Sequence, residues 1–329
     1  MAQESRKRIL SGIQPSGTLH IGNFFGMMKR MISFQEQGEL FVFIVNLHAL
    51  TSVFDGETLR RNTISAAMDF LALGLDPQRS YFWVQSDVPE HVELSWYLSN
   101  FTPVGLLQRA TSYKDKVAQG LPTNAGLFTY PILQAADILL YQSDLVPVGN
   151  DQKQHVEMTR DIAIRFNNSY GEVFNLPAPD VDENVAVVPG IDGRKMSKSY
   201  GNAISIFEDR ESLRQKVMSI VTDSSPVEAP KDPDTCTLFA LYKLFACEDE
   251  VIAMAQCYRG GGLRYADVKK ELLELIWDLF RPFRERREEL EADQAKVLEI
   301  LDEGAKKARV VALETIEKVR EVTGVRYRP

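Results

Sequence analysis

Apolar residues along this chain fall into short unbroken runs and longer stretches with helical spacing, and the two kinds alternate. Residues 8–13 read as a short buried strand, broken by Ser16-Gly17, and an apolar-rich helical segment follows over residues 22–37. Residues 40–45 read as a second strand, and residues 57–74 as a helix with Ile64, Met68 and Leu71 on one side. A third strand is expected at 81–84, a helix at 90–99, a strong helix at 127–141 and a short strand at 145–148. Asp151 then reads as the cap of a helix running to about residue 166. Alternation of this kind predicts a parallel sheet with helices on both faces. The expected class is therefore α/β, with a Rossmann-like parallel sheet whose ligands sit beyond the carboxyl ends of the strands.

After Lys195–Ser199 the texture changes to helices only, at about 211–221, 238–246 and 265–281. In the last of these, Val268, Leu272, Leu275 and Leu279 suggest one apolar stripe. The expected domains are residues 1–205, carrying the sheet, and residues 206–329, all helical, with the last helix packing back on the first domain. No internal repeat or low-complexity tract interrupts either part.

Length supports two domains, since 329 residues exceed what a single core usually serves. Hydrophobic residues at 44% and charged residues at 26% are ordinary for a globular chain. The net charge of −8 argues against broad, non-specific nucleic-acid binding, though local basic clusters occur. These are Arg281, Arg284, Arg286 and Arg287, then Lys306, Lys307 and Arg309, then Arg326 and Arg328. Interleaved acidic residues favour reading each cluster as a solvated helix face. The longest apolar run, 40–45, is too short to span a bilayer, and the first residues lack a signal-peptide core. The expectation is a cytoplasmic protein with no membrane attachment. Three cysteines without C-x-x-C spacing indicate free thiols, with no disulfide framework and no zinc site.

Two strings suggest phosphate chemistry. Gly12-Ile13-Gln14-Pro15-Ser16-Gly17 precedes His20-Ile21-Gly22-Asn23 at a helix start, where unpaired backbone N–H groups and an imidazole suit a phosphate. A plain strand–turn–helix junction is the alternative. Lys195-Met196-Ser197-Lys198-Ser199 places two lysines and two hydroxyls in one loop, fit to clamp a triphosphate as its charge redistributes. An ordinary exposed basic loop is the alternative there. On the helix at 127–141, Tyr130, Gln134 and Asp137 are spaced i, i+4, i+7 and share a face. A buried carboxylate at Asp137 needs a donor, which an indole N–H or a phenol supplies; a structural salt bridge or cap is the other reading. Asp151 remains first a helix N-cap. His48 lines the same pocket or is a satisfied core histidine, and Lys114 and Lys116 reach a pyrophosphate or lie solvated on the surface.

Together and in this order, His20–Asn23 and Lys195–Ser199 resemble the HIGH and KMSKS signatures of class I aminoacyl-tRNA synthetases. Asn23 stands where that pattern usually ends in histidine, a departure common in tryptophanyl members. The strings GIQPSG (12–17), QSDVP (85–89), AADILLY (135–141), VPVGNDQKQH (146–155) and VTDS (221–224) look like the bacterial tryptophanyl-tRNA synthetase family. The resemblance implies activation of L-tryptophan by ATP with Mg²⁺, transfer to the 2′-hydroxyl of tRNA(Trp), and a homodimer whose helical domain reads the anticodon. It implies catalytic roles for His20, Lys195 and Lys198. Gln14, Pro15, Ser16, Gly22, Asn23, Gly149, Asp151 and the loop Lys195, Met196, Ser197, Lys198 and Ser199 would bind ATP. His48, Tyr130, Gln134, Asp137 and Gln152 would bind tryptophan, and no residue is assigned to a metal. Tyrosyl-tRNA synthetases present a similar Tyr-Gln-Asp face, and a synthetase-like paralogue that binds tryptophan without charging tRNA is a further alternative. Some members hold an iron–sulfur cluster on four cysteines; Cys236 and Cys257 match two positions, but Tyr265 and Val268 stand near the others, so no cluster is expected.

Overall fold

The apolar runs at 8–13 and 40–45 form neighbouring parallel strands, β1 (Arg8–Ile13) and β2 (Glu39–Ile44), with Leu10 opposite Phe41. Every residue of β2 after Glu39 is buried, as expected of a strand covered on both faces. The structure, a computed structural model, describes residues 6–15, 17–111, 113–114, 123–181 and 187–328, without the Asp151 side chain. Strand β3 (Ser80–Val84) pairs with the outer edge of β2, and β4 (Leu145–Pro147) pairs with the free side of β1. A fifth strand, β5 (Ala178–Asp180), pairs with β4 and completes the order β3-β2-β1-β4-β5. The sequence pattern gave no sign of β5. It contains Pro179 and Asp180, both poor strand residues, and such a segment is tolerated only at a sheet edge. Chain order reverses between β1 and β4, which makes their carboxyl ends the topological switch point.

Helices α1 (Gly56–Ala72), α2 (Glu90–Ser99), α3 (Ala125–Leu140) and α4 (Lys153–Tyr170) connect these strands. Asp55 caps α1 by accepting from Thr58 N–H, and Asn124 caps α3 by accepting from Leu127 N–H. The start of α4 differs from expectation. Asp151 lies inside a 3-10 turn (Asn150–Gln152), and Gln152 occupies the N-cap position with no side-chain cap bond. The expected helix at 22–37 is a succession of turns: Ile21–Asn23 is α-helical, Phe24–Met28 a π turn, Lys29–Ser33 α-helical and Phe34–Glu36 a 3-10 turn.

By packing, the chain divides into two compact units. The first comprises Met1–Gly17, Met31–Glu183 and Asp293–Pro329; the second comprises Thr18–Arg30 and Asn184–Ala292. This division does not follow the linear boundary at 205/206. In the second unit α5 (Arg210–Met218), α6 (Thr237–Tyr242), α7 (Glu248–Gly260) and α8 (Tyr265–Ala292) follow one another, and α8 packs on α5 and α6. Its buried face is Val268, Leu272, Leu273, Ile276 and Phe280. The expected stripe through Leu275 and Leu279 is therefore corrected: Leu279 is exposed, because the packed row advances by four residues and leaves 279 behind. Arg284 and Arg287 are also not solvated as expected. Arg284 is buried with its guanidinium 3.6 Å from the Trp277 ring, and Arg287 packs over Phe207.

The last helix, α9 (Gln294–Val322), belongs to the first unit and lies against β3, α1, α2 and α3. Its buried side carries Gly304, Ala305, Ala308 and Ala312, small residues that permit close approach. A Cβ at Gly304 would sit 1.7 Å from the Phe82 carbonyl oxygen of β3. Arg309 reaches Glu90 at 2.9 Å and Arg320 reaches Glu93 at 2.7 Å, so ion pairs flank the apolar seam on α2. Gly304→Ala is expected to lower the unfolding free energy by roughly 1–3 kcal/mol or more, read from the urea midpoint, because backbone must move to admit the methyl. Gly56→Ala, with nothing within 4 Å of its Cβ, serves as the control. An unchanged midpoint for Gly304→Ala would show that α9 does not seat on β3 this way.

Candidate active site

The carboxyl ends of the first unit's strands deliver side chains to one region. Gln14 and Pro15 follow β1, His48 follows β2, Gln85 follows β3 and Gly149 follows β4. Facing them is Asp137 of α3, which is almost fully buried. Its Oδ1 accepts from His91 Nδ1 at 2.6 Å and Gln85 Nε2 at 2.8 Å. Its Oδ2 accepts from His48 Nε2 at 2.9 Å and again from Gln85 Nε2 at 3.0 Å. Burial pushes the Asp137 pKa up, but the hydrogen bonds and charge of His48 and His91 more than offset it, and the net direction is down. Asp137 is thus a charged, buried acceptor, neither a helix cap nor a lysine or arginine salt bridge.

Behind this carboxylate the network continues. Burial, with the charges of Asp137 and Glu90, raises the Tyr141 pKa, so its hydroxyl stays protonated, and it lies 2.9 Å from His91 Nε2. His91 Nδ1, which faces the Asp137 carboxylate, carries a proton, since an ionised carboxylate only accepts. The Gln85 amide is oriented by Leu47 N–H, which donates to its Oε1 at 3.2 Å. A second chain links Tyr130, His155 and Gln152: Tyr130 Oη lies 2.6 Å from His155 Nε2, and His155 Nδ1 lies 3.0 Å from Gln152 Oε1. His48 and Tyr130 meet edge to face at 6.2 Å. Of the residues expected to bind an amino acid, His48, Tyr130, Asp137 and Gln152 therefore lie in two adjoining networks, with Gln134 half-buried on the same helix.

Gln85, His91, Tyr141 and His155 were not among the residues the sequence singled out, although three of them lie inside the quoted strings. A polar residue ending a buried strand, as Gln85 ends SYFWV, is the signal that points to it. His91 carries none, because its position on α2 is indistinguishable from a core histidine.

The second unit brings the other two strings together. His20 is the N-cap of the short helix Ile21–Asn23, in a reciprocal box: Asn23 N–H donates to His20 Nδ1 at 3.2 Å and His20 N–H donates to Asn23 Oδ1 at 3.1 Å. The backbone N–H of residue 23 thus orients the His20 ring, leaving Nε2 to carry the proton, while the Asn23 side chain holds the His20 main chain. Ile21 N–H bonds Ile204 O at 3.0 Å and Ile206 N–H bonds Leu19 O at 3.1 Å, so this turn is zipped to residues 204–206. Gly22 N–H points at Met196 Sδ, 174 positions away in the chain, at 3.4 Å. A Cβ at Gly22 would meet the His20 ring at 3.0 Å and Met196 Cβ at 3.4 Å. Met196 is buried in this junction, and its side chain packs there. Lys195, Lys198 and Ser199 are exposed and Ser197 is half-buried. Burial, then the Lys198 charge, lowers the His20 pKa from 6.5 to about 4. Lys114 is exposed; Ser16, Lys116 and the Asp151 side chain lie outside the described residues.

A family model described as tRNA synthetases class I (W and Y) matches residues 2–281. The chain belongs to this family. The tryptophan–tRNA ligase of Fusobacterium nucleatum is 53% identical over 320 residues, covering 97% of this chain and 98% of that protein. A tryptophanyl-tRNA synthetase from Campylobacter jejuni, solved with ADP and tryptophan, is 52% identical with a TM-score of 0.93, covering 96% of this chain and 99% of its own. The Mycoplasma pneumoniae tryptophanyl-tRNA synthetase is 32% identical with a TM-score of 0.80, covering 97% of this chain and 98% of its own. The α/β parallel sheet and helical part expected from the sequence are those of these synthetases.

The synthetase has four histidines, three in the two networks around Asp137 and Tyr130 and the fourth, His20, at the capped turn of the second unit, so few ring resonances need assigning. His20 should stay neutral and show no ring-proton inflection between pH 5.5 and 8 by NMR, its resonance assigned by comparison with His20→Asn. Between 6.5 and about 4 the unfolded chain binds a proton there that the folded chain does not, so this group removes stability as pH falls through that window. An inflection near pH 6.5 would mean that the ring is neither buried nor capping.

Proposed function

We propose that this synthetase is a tryptophan–tRNA ligase: it activates L-tryptophan with ATP to tryptophanyl-adenylate and transfers the aminoacyl group to the 2′-hydroxyl of tRNA(Trp). The observation that carries the reading is identity above half, over nearly the whole chain, to proteins named as tryptophan–tRNA ligases, one of them solved with ADP and tryptophan. In the first step the tryptophan carboxylate attacks the α-phosphorus and pyrophosphate leaves. No protein nucleophile is needed, so catalysis comes from positioning and from charge placed where the transition state develops it. His20 Nε2–H, Lys195 and Lys198 supply that charge. Gln14, Pro15, Ser16, Gly22, Asn23, Gly149, Asp151 and the loop Lys195, Met196, Ser197, Lys198 and Ser199 hold the nucleotide. No group of three or more His, Cys, Asp or Glu side chains among the described residues is arranged to hold a metal. Mg²⁺ enters as part of the ATP substrate, on its phosphates.

His48, Tyr130, Gln134, Asp137 and Gln152 form the tryptophan site. Protein donors already occupy both oxygens of Asp137, so an indole N–H replaces one of them. His48, whose ring is the least buried of the three donor groups that can move aside, gives way. The helical part, 206–329 by sequence, reads the tRNA. The protein works in the cytoplasm and as a homodimer; exposed Val92 and Trp96, four residues apart on α2, are apolar surface that a second copy would cover. No helix among the described residues is long and apolar enough to cross a membrane.

ATP–pyrophosphate exchange should depend on tryptophan, with tyrosine supporting it at least about a thousandfold less well in kcat/KM. Equal activity with tyrosine would transfer the assignment to the tyrosyl branch. Asp137→Asn and Asp137→Ala should each lose roughly tenfold or more in kcat/KM for tryptophan. An analogue with sulfur in place of the indole nitrogen should be rejected by the wild type and much less so by Asp137→Ala. If both ligands lose equally on mutation, Asp137 does not touch the indole nitrogen.

A further inference from the structure

The loop carrying Lys195 and Lys198 is folded around one buried amide. Asn202 is 2% exposed although every residue from 197 to 201 is at least partly open to solvent. Its Nδ2 donates to the Asp192 carboxylate at 2.7 Å and to the Lys195 carbonyl at 3.1 Å. Its Oδ1 accepts the Ser197 N–H at 2.8 Å. Its own carbonyl accepts the Ile191 N–H at 3.0 Å. The amide thus bridges both sides of Met196, the residue that packs under Gly22, and fixes the spacing between Lys195 and the turn Lys198–Tyr200.

Its neighbours are arranged to admit this side chain. A Cβ at Gly190 would fall 2.4 Å from the Asn202 amide, so only glycine leaves room there. Gly201, at φ 65°, takes the left-handed conformation that ends the turn and sends the next residue back beneath the loop. Only an amide satisfies the polarity of this cavity. A carboxylate at 202 would face the Asp192 oxygen and a carbonyl, and an alanine would leave the Ser197 N–H and Lys195 carbonyl to find other partners.

We propose that Asn202 is a positioning residue for adenylate formation, holding the loop in the conformation that presents Lys195 and Lys198 to the triphosphate. This rests on the ligase reading above, in which those lysines act on the phosphates. Asn202 does not itself reach the reacting atoms; it acts through the loop.

The test measures tryptophan-dependent ATP–pyrophosphate exchange for Asn202→Ala, Asn202→Asp, Lys195→Ala and the double variant Asn202→Ala with Lys195→Ala, with tryptophan affinity by equilibrium dialysis in parallel. Asn202→Ala should lower kcat by roughly tenfold or more, and Asn202→Asp by at least as much, while the tryptophan Kd stays within about twofold. In the Lys195→Ala background the loss from Asn202→Ala should be much smaller, because the group it positions is gone. In the wild type, the Ser197 amide should be protected from hydrogen exchange although it lies in an exposed loop, a readout that needs no variant to fold. The proposal fails if kcat of both Asn202 variants stays within about twofold of wild type, if the losses with Lys195→Ala are additive, if tryptophan affinity falls in step with kcat, or if the Ser197 amide exchanges freely. A silent Lys195→Ala would instead sink the assigned role of the loop, and the two failures are thereby told apart.

Discussion

Burying the Asp137 carboxylate costs several kcal/mol unless donors meet its charge, and here the donors come from three places in the chain. His48 stands after β2, Gln85 after β3 and His91 on α2, and all three bond the same two oxygens. Trp83 and Phe43 pack beside His91, so on that side the surroundings are aromatic and offer an unmet charge no polar partner. A one-residue slip of β3 against β2 would move Gln85 out of reach and leave the carboxylate short of two bonds. The register of the sheet and the polarity of the pocket are therefore set by the same bonds. Leu47 N–H on the Gln85 amide and Tyr141 behind His91 extend that control one residue further out.

The sequence made the strands β1 to β4 and their helices legible because each is an apolar run of the right length between turn residues. It did not reveal β5, whose Pro179 and Asp180 carry no strand propensity and whose pairing depends on β4 being there already. On α8 the apolar stripe was placed through Leu275 and Leu279, since several helical rows fit the same leucines; contact with α5 and α6 selects Ile276 and Phe280 instead. Among site residues, His20, Lys195, Lys198, Tyr130 and Asp137 could be named because they sit in strings whose chemistry is local. Gln85 and His91 matter through Asp137 and His155 through Tyr130, partners far away in sequence that no window of neighbouring residues displays. Asn202 has its side-chain partners within ten positions, but its burial beneath an exposed loop leaves no mark in the sequence.

In the second unit a substitution in a signature proves to have a local reason. Asn23 and His20 cap each other: the Asn23 side chain takes the His20 backbone N–H, and the backbone of residue 23 holds the His20 ring. Met196, which reads as part of a phosphate loop, is the apolar link between that turn and the loop. Chemistry-bearing and packing residues alternate within five positions there, and only their burial separates them.

The seating of α9 on β3 bears on how the chain is made. A ribosome releases residues 31–183 long before residues 293–322, yet both belong to one compact unit. Until the last helix emerges, the side of β3 and α2 that receives Gly304, Ala308 and Ala312 stays uncovered, and Glu90 and Glu93 wait for Arg309 and Arg320. The nascent sheet must therefore persist with an open apolar seam while the whole second unit is synthesised and folds. Its completion waits on residues 293–322, and a chain that stalls or is cut before residue 293 is left with that seam exposed to aggregation.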